Sequence, residues 1–258
     1  MGLRSYIVAR VLLTIPMIML LLTFVFLIVR VLPGDPVLLH FEKAASPETI
    51  ELMRQRLGLD KPLIDQYFEY LAGLVQGDLG KSMQDFSPIG QQIFSAFPAT
   101  LELAIYSTII AVVLGIFLGV KSSQSYNSLQ DYSIRVFGIV VYAIPIFFLG
   151  MIFQMVFGVL LHWLPTGGRI YPGLEPYGLN MGDQYIKTGL YTIDSLLEGN
   201  VLKFVQTLRY LFLPSLTLGL VLSGVFIRLT RSNMLETLRL DFVTAARARG
   251  LRERTVLY

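Results

Sequence analysis

The sequence predicts an all-α polytopic membrane protein, and three observations carry that reading. Four apolar stretches, at about 11–29, 99–120, 136–161 and 210–229, each approach the length needed to cross hydrocarbon as helix. Hydrophobic residues make up 54% of the 258 and charged residues only 15%, with a mean hydropathy of +0.62, far from the balance of a soluble domain. Arginines gather beside the stretches: Arg4 and Arg10 precede the first, and from Arg231 onward six arginines face three acids.

The first stretch could be taken for a signal peptide. Its apolar run is too long for a signal core, however, and no small-residue cleavage site follows, so the sequence predicts a retained first helix. Residues 31–97 then form a long segment with helical signals of its own. Ser46 is placed to cap a helix starting at Pro47, with Glu48 favoured by the N-terminal dipole. Ile50, Met53 and Leu57 share one face before Gly58 ends the turn, and a second helix is predicted from Pro62 to about Val75. Ser87-Pro88 offers a third start signal.

The second span is expected to begin near Pro98, which puts Glu102 in its first turn. There the helix dipole would favour the carboxylate by about 0.3–1 kcal/mol, whereas a charge at mid-bilayer costs about 2.5–3.5 kcal/mol. The spacing of Gly115 and Gly119 predicts close approach by a neighbouring helix. Pro145 interrupts the third span and Pro214 is expected to open the fourth. Between these lies a Gly-, Pro- and Tyr-rich segment, 164–206, in which Tyr171, Tyr177, Tyr185 and Tyr191 read as headgroup anchors. The positive-inside rule puts the N-terminus, residues 121–135 and everything after Arg228 in the cytoplasm, with the two long segments outside.

Several chemistries are excluded or disfavoured. The chain has no cysteine, so it holds no thiolate nucleophile, disulfide or zinc–thiolate site. His40 and His162 lack metal-ligand spacing, and no metal site is predicted. Gly80-Lys81-Ser82 resembles the end of a phosphate loop, but Val75 stands where the first glycine belongs, so no nucleotide site is expected. The arginines read as membrane flank, and nothing points to nucleic acid. An ion-coupled carrier would place ionisable groups near the bilayer midplane, and none is evident.

The chain resembles the B-type permease subunits of dipeptide and oligopeptide ABC importers along almost its whole length. The matching pieces, in order, are Leu32-Pro33-Gly34-Asp35-Pro36, Leu57-Gly58-Leu59-Asp60-Lys61-Pro62 and Gly77-Asp78-Leu79-Gly80 with Ser82. They continue with Ala99-Thr100-Leu101-Glu102-Leu103, then Arg228 with Thr230-Arg231-Ser232 and Met234-Leu235-Glu236, and finally Ala246-Arg247-Ala248-Arg249-Gly250-Leu251. The family's coupling loop reads Glu-Ala-Ala, three residues, Gly. Here Thr244-Ala245-Ala246 and Gly250 occupy that register, with Thr at the acidic position.

The resemblance implies the type I importer transmembrane fold: residues 1–30 as cytoplasmic flank and first helix, 31–97 as an external helical segment, and 98–258 as the core. It further implies inward transport of di- or oligopeptides, with nickel chelates, glutathione or oligosaccharides as alternatives. Its implied partners are a second homologous permease, two ATP-binding subunits, an extracytoplasmic substrate-binding protein and the lipid bilayer. ATP would be bound by those partner subunits, and this chain would carry no catalytic residue or cofactor. Thr244, Ala245, Ala246, Arg247, Arg249 and Gly250 would couple to the ATPase within a loop spanning 241–258. The family continues with two more spans, so the fold expected here is a truncated one ending after the fourth helix and coupling loop. A membrane scaffold without transport is the reading that such truncation would leave. Residues that bind substrate are not assigned.

Overall fold

A computed structural model describes residues 2–31, 47–56, 58–82, 87–180, 185–252 and 255–256. The motif at 32–36, His40, the Ser46 cap, Leu57 and Tyr258 lie outside the described residues. The chain divides into two compact units, Met1–Ser95 and Ala96–Tyr258.

In the first unit, α1 (Leu3–Val31) is apolar around its circumference and leaves most of its side chains exposed, as a helix meant for lipid does. The short helix α2 (Pro47–Arg56) has Glu48 in its first turn, and Gly58 follows at φ +63°, the left-handed conformation that ends a helix. Next comes α3 (Leu63–Val75), as its apolar spacing predicts. It meets α1 through aromatic edges: Phe26 lies 5.2 Å from the Tyr67 ring and 5.7 Å from that of Tyr70, while Thr23 and the Tyr67 hydroxyl are 2.6 Å apart.

The helix that carries the second span, α4 (Ile89–Gln124), starts well before Pro98, its expected place. The Ser87-Pro88 signal is its start, and Pro98 sits inside it. The second unit continues with α5 (Leu129–Ala143), whose Ser128 cap accepts from the Asp131 amide, and α6 (Ile146–Phe153). These two do not form one straight span. Ile144 is extended at ψ 127°, because the ring of Pro145 disfavours a helical residue before it, and the axes turn by 99°. A π-helical run, Gln154–Leu160, extends α6.

The Gly-, Pro- and Tyr-rich segment contains a two-residue antiparallel ladder, β1 (Leu179–Asn180) with β2 (Tyr185–Ile186), and helix α7 (Tyr191–Leu197). The fourth stretch is α8 (Val201–Thr237), started by an Asn200 cap on Lys203 N, so Pro214 lies within it rather than opening it. The final described helix is α9 (Asp241–Ala248). By length and composition α1, α4 and α8 can each cross a membrane, and the bent α5–α6 pair can supply a fourth crossing. Among the described residues the architecture is all-α apart from the β1–β2 ladder.

Small residues set the packing of the second unit. A Cβ at Gly115 would collide with Phe226, and one at Gly119 would lie 2.6 Å from Thr230 Cβ, as close helix approach requires. Gly219 meets Ile110 in the same way, and a Cβ at Gly224 would lie 2.6 Å from the Gly138 carbonyl oxygen. Buried hydroxyls along these seams turn back onto their own helices: Ser107 donates to the Leu103 carbonyl, Thr207 to Lys203 and Thr217 to Leu213. These three are satisfied in this way, while the buried Ser215 Oγ of α8 has no hydrogen-bond partner among the described residues.

Candidate functional site: a terminal helix and two ionic clasps

Helix α9 carries four of the six residues assigned to coupling, Thr244 to Arg247, and Arg249 and Gly250 follow directly on its end. Asp241 occupies its first turn and Arg247 its last, the order the helix dipole favours. Val243 is 3% exposed and anchors the helix, while Thr244 and Ala245 are exposed and Ala246 is half-buried. Arg249 caps the C-terminus, and Gly250, at φ +76°, makes the left-handed exit and donates to the Arg247 carbonyl at 2.9 Å. A side chain at Gly250 would meet open space, so its backbone conformation, not crowding, favours glycine there. The six residues therefore come together as one short, small-residue surface with a basic rim.

The end of α8 from which α9 departs is fixed by a buried carboxylate. Asp131 is fully buried and accepts from Arg231 through both guanidinium edges, Nε to Oδ1 and Nη2 to Oδ2, each at 2.8 Å. Ser122 Oγ donates to Oδ1, the Asn127 amide donates to Oδ2 at 3.1 Å, and Arg135 Nε stands 3.7 Å from Oδ1. The Arg231 guanidinium also lies over the Tyr126 ring at 5.6 Å. One carboxylate thus ties the end of α4, the start of α5 and the last turns of α8. A bidentate arginine suits this task because its planar fork fixes direction as well as distance. Sequence reasoning placed Arg231 in a motif but missed Asp131. The available signal was a lone acid three residues after the Ser128 cap.

A second clasp corrects the reading of Glu102. It is not in the first turn of a helix and does not reach water: it lies 3% exposed within α4. One oxygen accepts from the Thr192 amide and hydroxyl, both at 2.7 Å, and the other from Arg169 Nη2 at 2.9 Å. Arg169 also donates to the Gly189 carbonyl at 2.9 Å and covers the Tyr191 ring at 3.8 Å. Asp194, 1% exposed, gathers the Thr188 amide and hydroxyl and the Gly189 amide. Nearby, Lys203 bridges Glu198 at 2.7 Å and lies 4.5 Å from the Tyr177 ring centre. Its ammonium holds the Glu198 carboxyl below the ordinary range against the opposing effect of burial, and the Tyr177 amide assists. Tyr177 and Tyr191 are thus cation-facing platforms, a role the headgroup-anchor reading did not give them. Beneath this loop, a cavity of about 230 Å³ opens between α4 and α8 and one of about 390 Å³ reaches on to α6, with Leu103, Gly168, Tyr210 and Pro214 common to both.

Residues 111–258 match the model of the binding-protein-dependent transport system inner membrane component, and residues 3–104 match the N-terminal model of the same membrane components. The chain belongs to this permease family. It is 37% identical over 257 residues to the di/tripeptide transport system permease protein DppB of Pseudomonas aeruginosa, an alignment covering 98% of this chain and 74% of that one. It is 40% identical over 226 residues to the probable D,D-dipeptide transport system permease protein DdpB of Escherichia coli, covering 88% and 64%. It is 33% identical over 253 residues to the glutathione transport system permease protein GsiC of Pectobacterium atrosepticum, covering 98% and 71%. Membership makes the protein a multi-pass membrane component of binding-protein-dependent transport, in agreement with its apolar helices.

Proposed function

We propose that this permease moves di- or oligopeptides into the cytoplasm, driven by ATP hydrolysed in separate subunits that grip α9. The observation that carries the proposal is α9 itself, a small-residue helix held from beneath by Val243 with Thr244, Ala245 and Gly250 left exposed. Such a surface suits insertion into a groove on a partner, because small side chains let another backbone approach closely. The peptide substrate is supported by the names of the relatives matched over most of this chain, DppB and DdpB. The glutathione permease relative at 33% identity favours glutathione as the second reading. The remaining parts of the assembly are a second permease, two ATP-binding subunits and an external binding protein. Arg4, Arg10 and the arginines after Arg228 favour a cytoplasmic N-terminus and a cytoplasmic α9.

The test is ATP hydrolysis by the assembled transporter in bilayer discs, with short peptides and glutathione titrated separately. Peptides are expected to stimulate it, and stimulation by glutathione alone would move the assignment to the second reading. Gly250→Trp and Ala246→Arg are expected to abolish association with the ATPase while leaving membrane insertion intact. Undiminished co-purification of the ATPase with both variants would refute the role of α9.

A further inference from the structure

Between α5 and α8, at the end of the unit that holds the Asp131 clasp, lies a cleft of about 360 Å³. Its walls are apolar along Gly138, Ile139, Gly224 and Val225, and its end is formed by Arg135, Arg228 and Arg231. The helices meet where Gly224 faces Gly138: a Cβ at Gly224 would lie 2.6 Å from the Gly138 carbonyl oxygen, and neither glycine carries a side chain to fill the cleft. Ile139 and Tyr142 stand 67% and 64% exposed at its edge.

We propose that this cleft binds an anionic phospholipid, with its phosphate on Arg228 and Arg135 and an acyl chain along the glycine-lined walls. Charge is the first argument. Asp131 is already matched by Arg231, so one carboxylate against three guanidiniums leaves a surplus of positive charge at the cleft's end. Among the described residues Arg228 makes no hydrogen bond or ion pair, and it is exposed. Arg135 touches the clasp only at 3.7 Å and keeps 45% of its side chain exposed.

Depth is the second argument. Along α8 no charged residue occurs between Arg209 and Arg228, and from Arg135 the chain carries no Asp, Glu, Lys or Arg until Arg169. Arg135 and Arg228 are therefore the first charges met on leaving the apolar part of each helix, the level at which phospholipid phosphates lie. An uncharged protein helix laid in the cleft would cover both guanidiniums without giving them an acceptor. A phosphodiester supplies acceptors, and its acyl chain matches the walls. The inference rests on the chain's membrane location and is independent of the solute carried.

The assembled transporter, stripped of co-purifying lipid in detergent, is titrated with phosphatidylglycerol and, separately, phosphatidylcholine, and bound lipid is counted by native mass spectrometry. The wild type is expected to prefer phosphatidylglycerol. Arg228→Gln should weaken its binding about fivefold and Arg135→Gln/Arg228→Gln about twenty-five-fold, from the usual worth of a basic residue at an anionic membrane surface. Ile139→Trp, which fills the cleft and leaves the arginines intact, should reduce binding of both lipids. Equal affinity of the wild type for the two lipids would overturn the proposal, as would unchanged phosphatidylglycerol binding by Arg228→Gln. A photo-crosslinker at position 139 that captures a protein subunit instead of lipid in the assembled transporter would overturn it too. If the double variant fails to assemble, the single Arg228→Gln decides, since Arg228 supports no contact within the described fold.

Discussion

Replacing Asp131 by Ala should be the most damaging polar substitution in the second unit. The change removes the only carboxylate facing Arg231 among the described residues and strips the partners of Ser122 Oγ and the Asn127 amide. Breaking a buried ion pair from one side costs about 3–5 kcal/mol, because the surviving charge stays desolvated. Arg231 keeps 19% of its side chain exposed and can recover some hydration, so the lower end, about 3 kcal/mol, is expected. That is a large share of the roughly 5–15 kcal/mol by which a domain is usually stable. The assay is a double-mutant cycle with Arg231→Ala, following unfolding of the detergent-solubilised chain in a denaturant series. The pair should show a coupling of at least about 1.5 kcal/mol, so that the double variant is less damaged than the sum of the singles. Purely additive effects, or a cost for Asp131→Ala below about 1 kcal/mol, would refute the view that this carboxylate holds the three helix ends together.

Gly119→Ala should cost about 1–3 kcal/mol, since its new methyl would lie 2.6 Å from Thr230 Cβ and 3.0 Å from the Ile227 carbonyl, whereas Gly90→Ala in the same helix meets nothing within 4 Å and should be close to neutral. Thermal melts of the two variants measure the contrast, and equal melting temperatures would contradict the seam. Glu102→Gln should loosen the loop held by Arg169 and Thr192 by about 1.5–3 kcal/mol, read as hydrogen exchange roughly ten- to a hundredfold faster at the Thr192 amide. Unaltered exchange would show that the loop is held by other contacts. The Glu198 carboxyl is lowered in the folded protein, so its pairing with Lys203 contributes stability above the unfolded value near 4.3 and loses it as pH falls toward the folded value. Lys203→Met should flatten that acid limb of the stability profile, and an unchanged limb would assign the dependence elsewhere.

How much could be read in advance depended on how local the cause was. The apolar stretches, the Pro47 and Pro62 starts and the small residues at 115 and 119 act within a few turns of chain, and their periodicity is printed in the sequence. Pro98 and Pro214 misled because a proline favours a helix start without requiring one. A bilayer helix tolerates the missing hydrogen bond when its neighbours compensate, and α4 and α8 run through both. The surface of α9 was legible because its small residues are consecutive in sequence.

The clasps were not legible, and the reason is distance along the chain. Glu102 meets Arg169 across 67 residues, and Asp131 meets Arg231 across 100. Nothing in a run of sequence says which distant guanidinium will answer a buried acid. Composition alone required the helices to be apolar, since a segment with no water to satisfy its backbone must bond to itself. Which charges those helices could keep inside was decided only when glycine seams brought α4, α5 and α8 close enough for one arginine to reach one carboxylate with both edges of its fork. Desolvation makes an unpaired buried charge costly, so the pairing had to be settled by the packing that buried it.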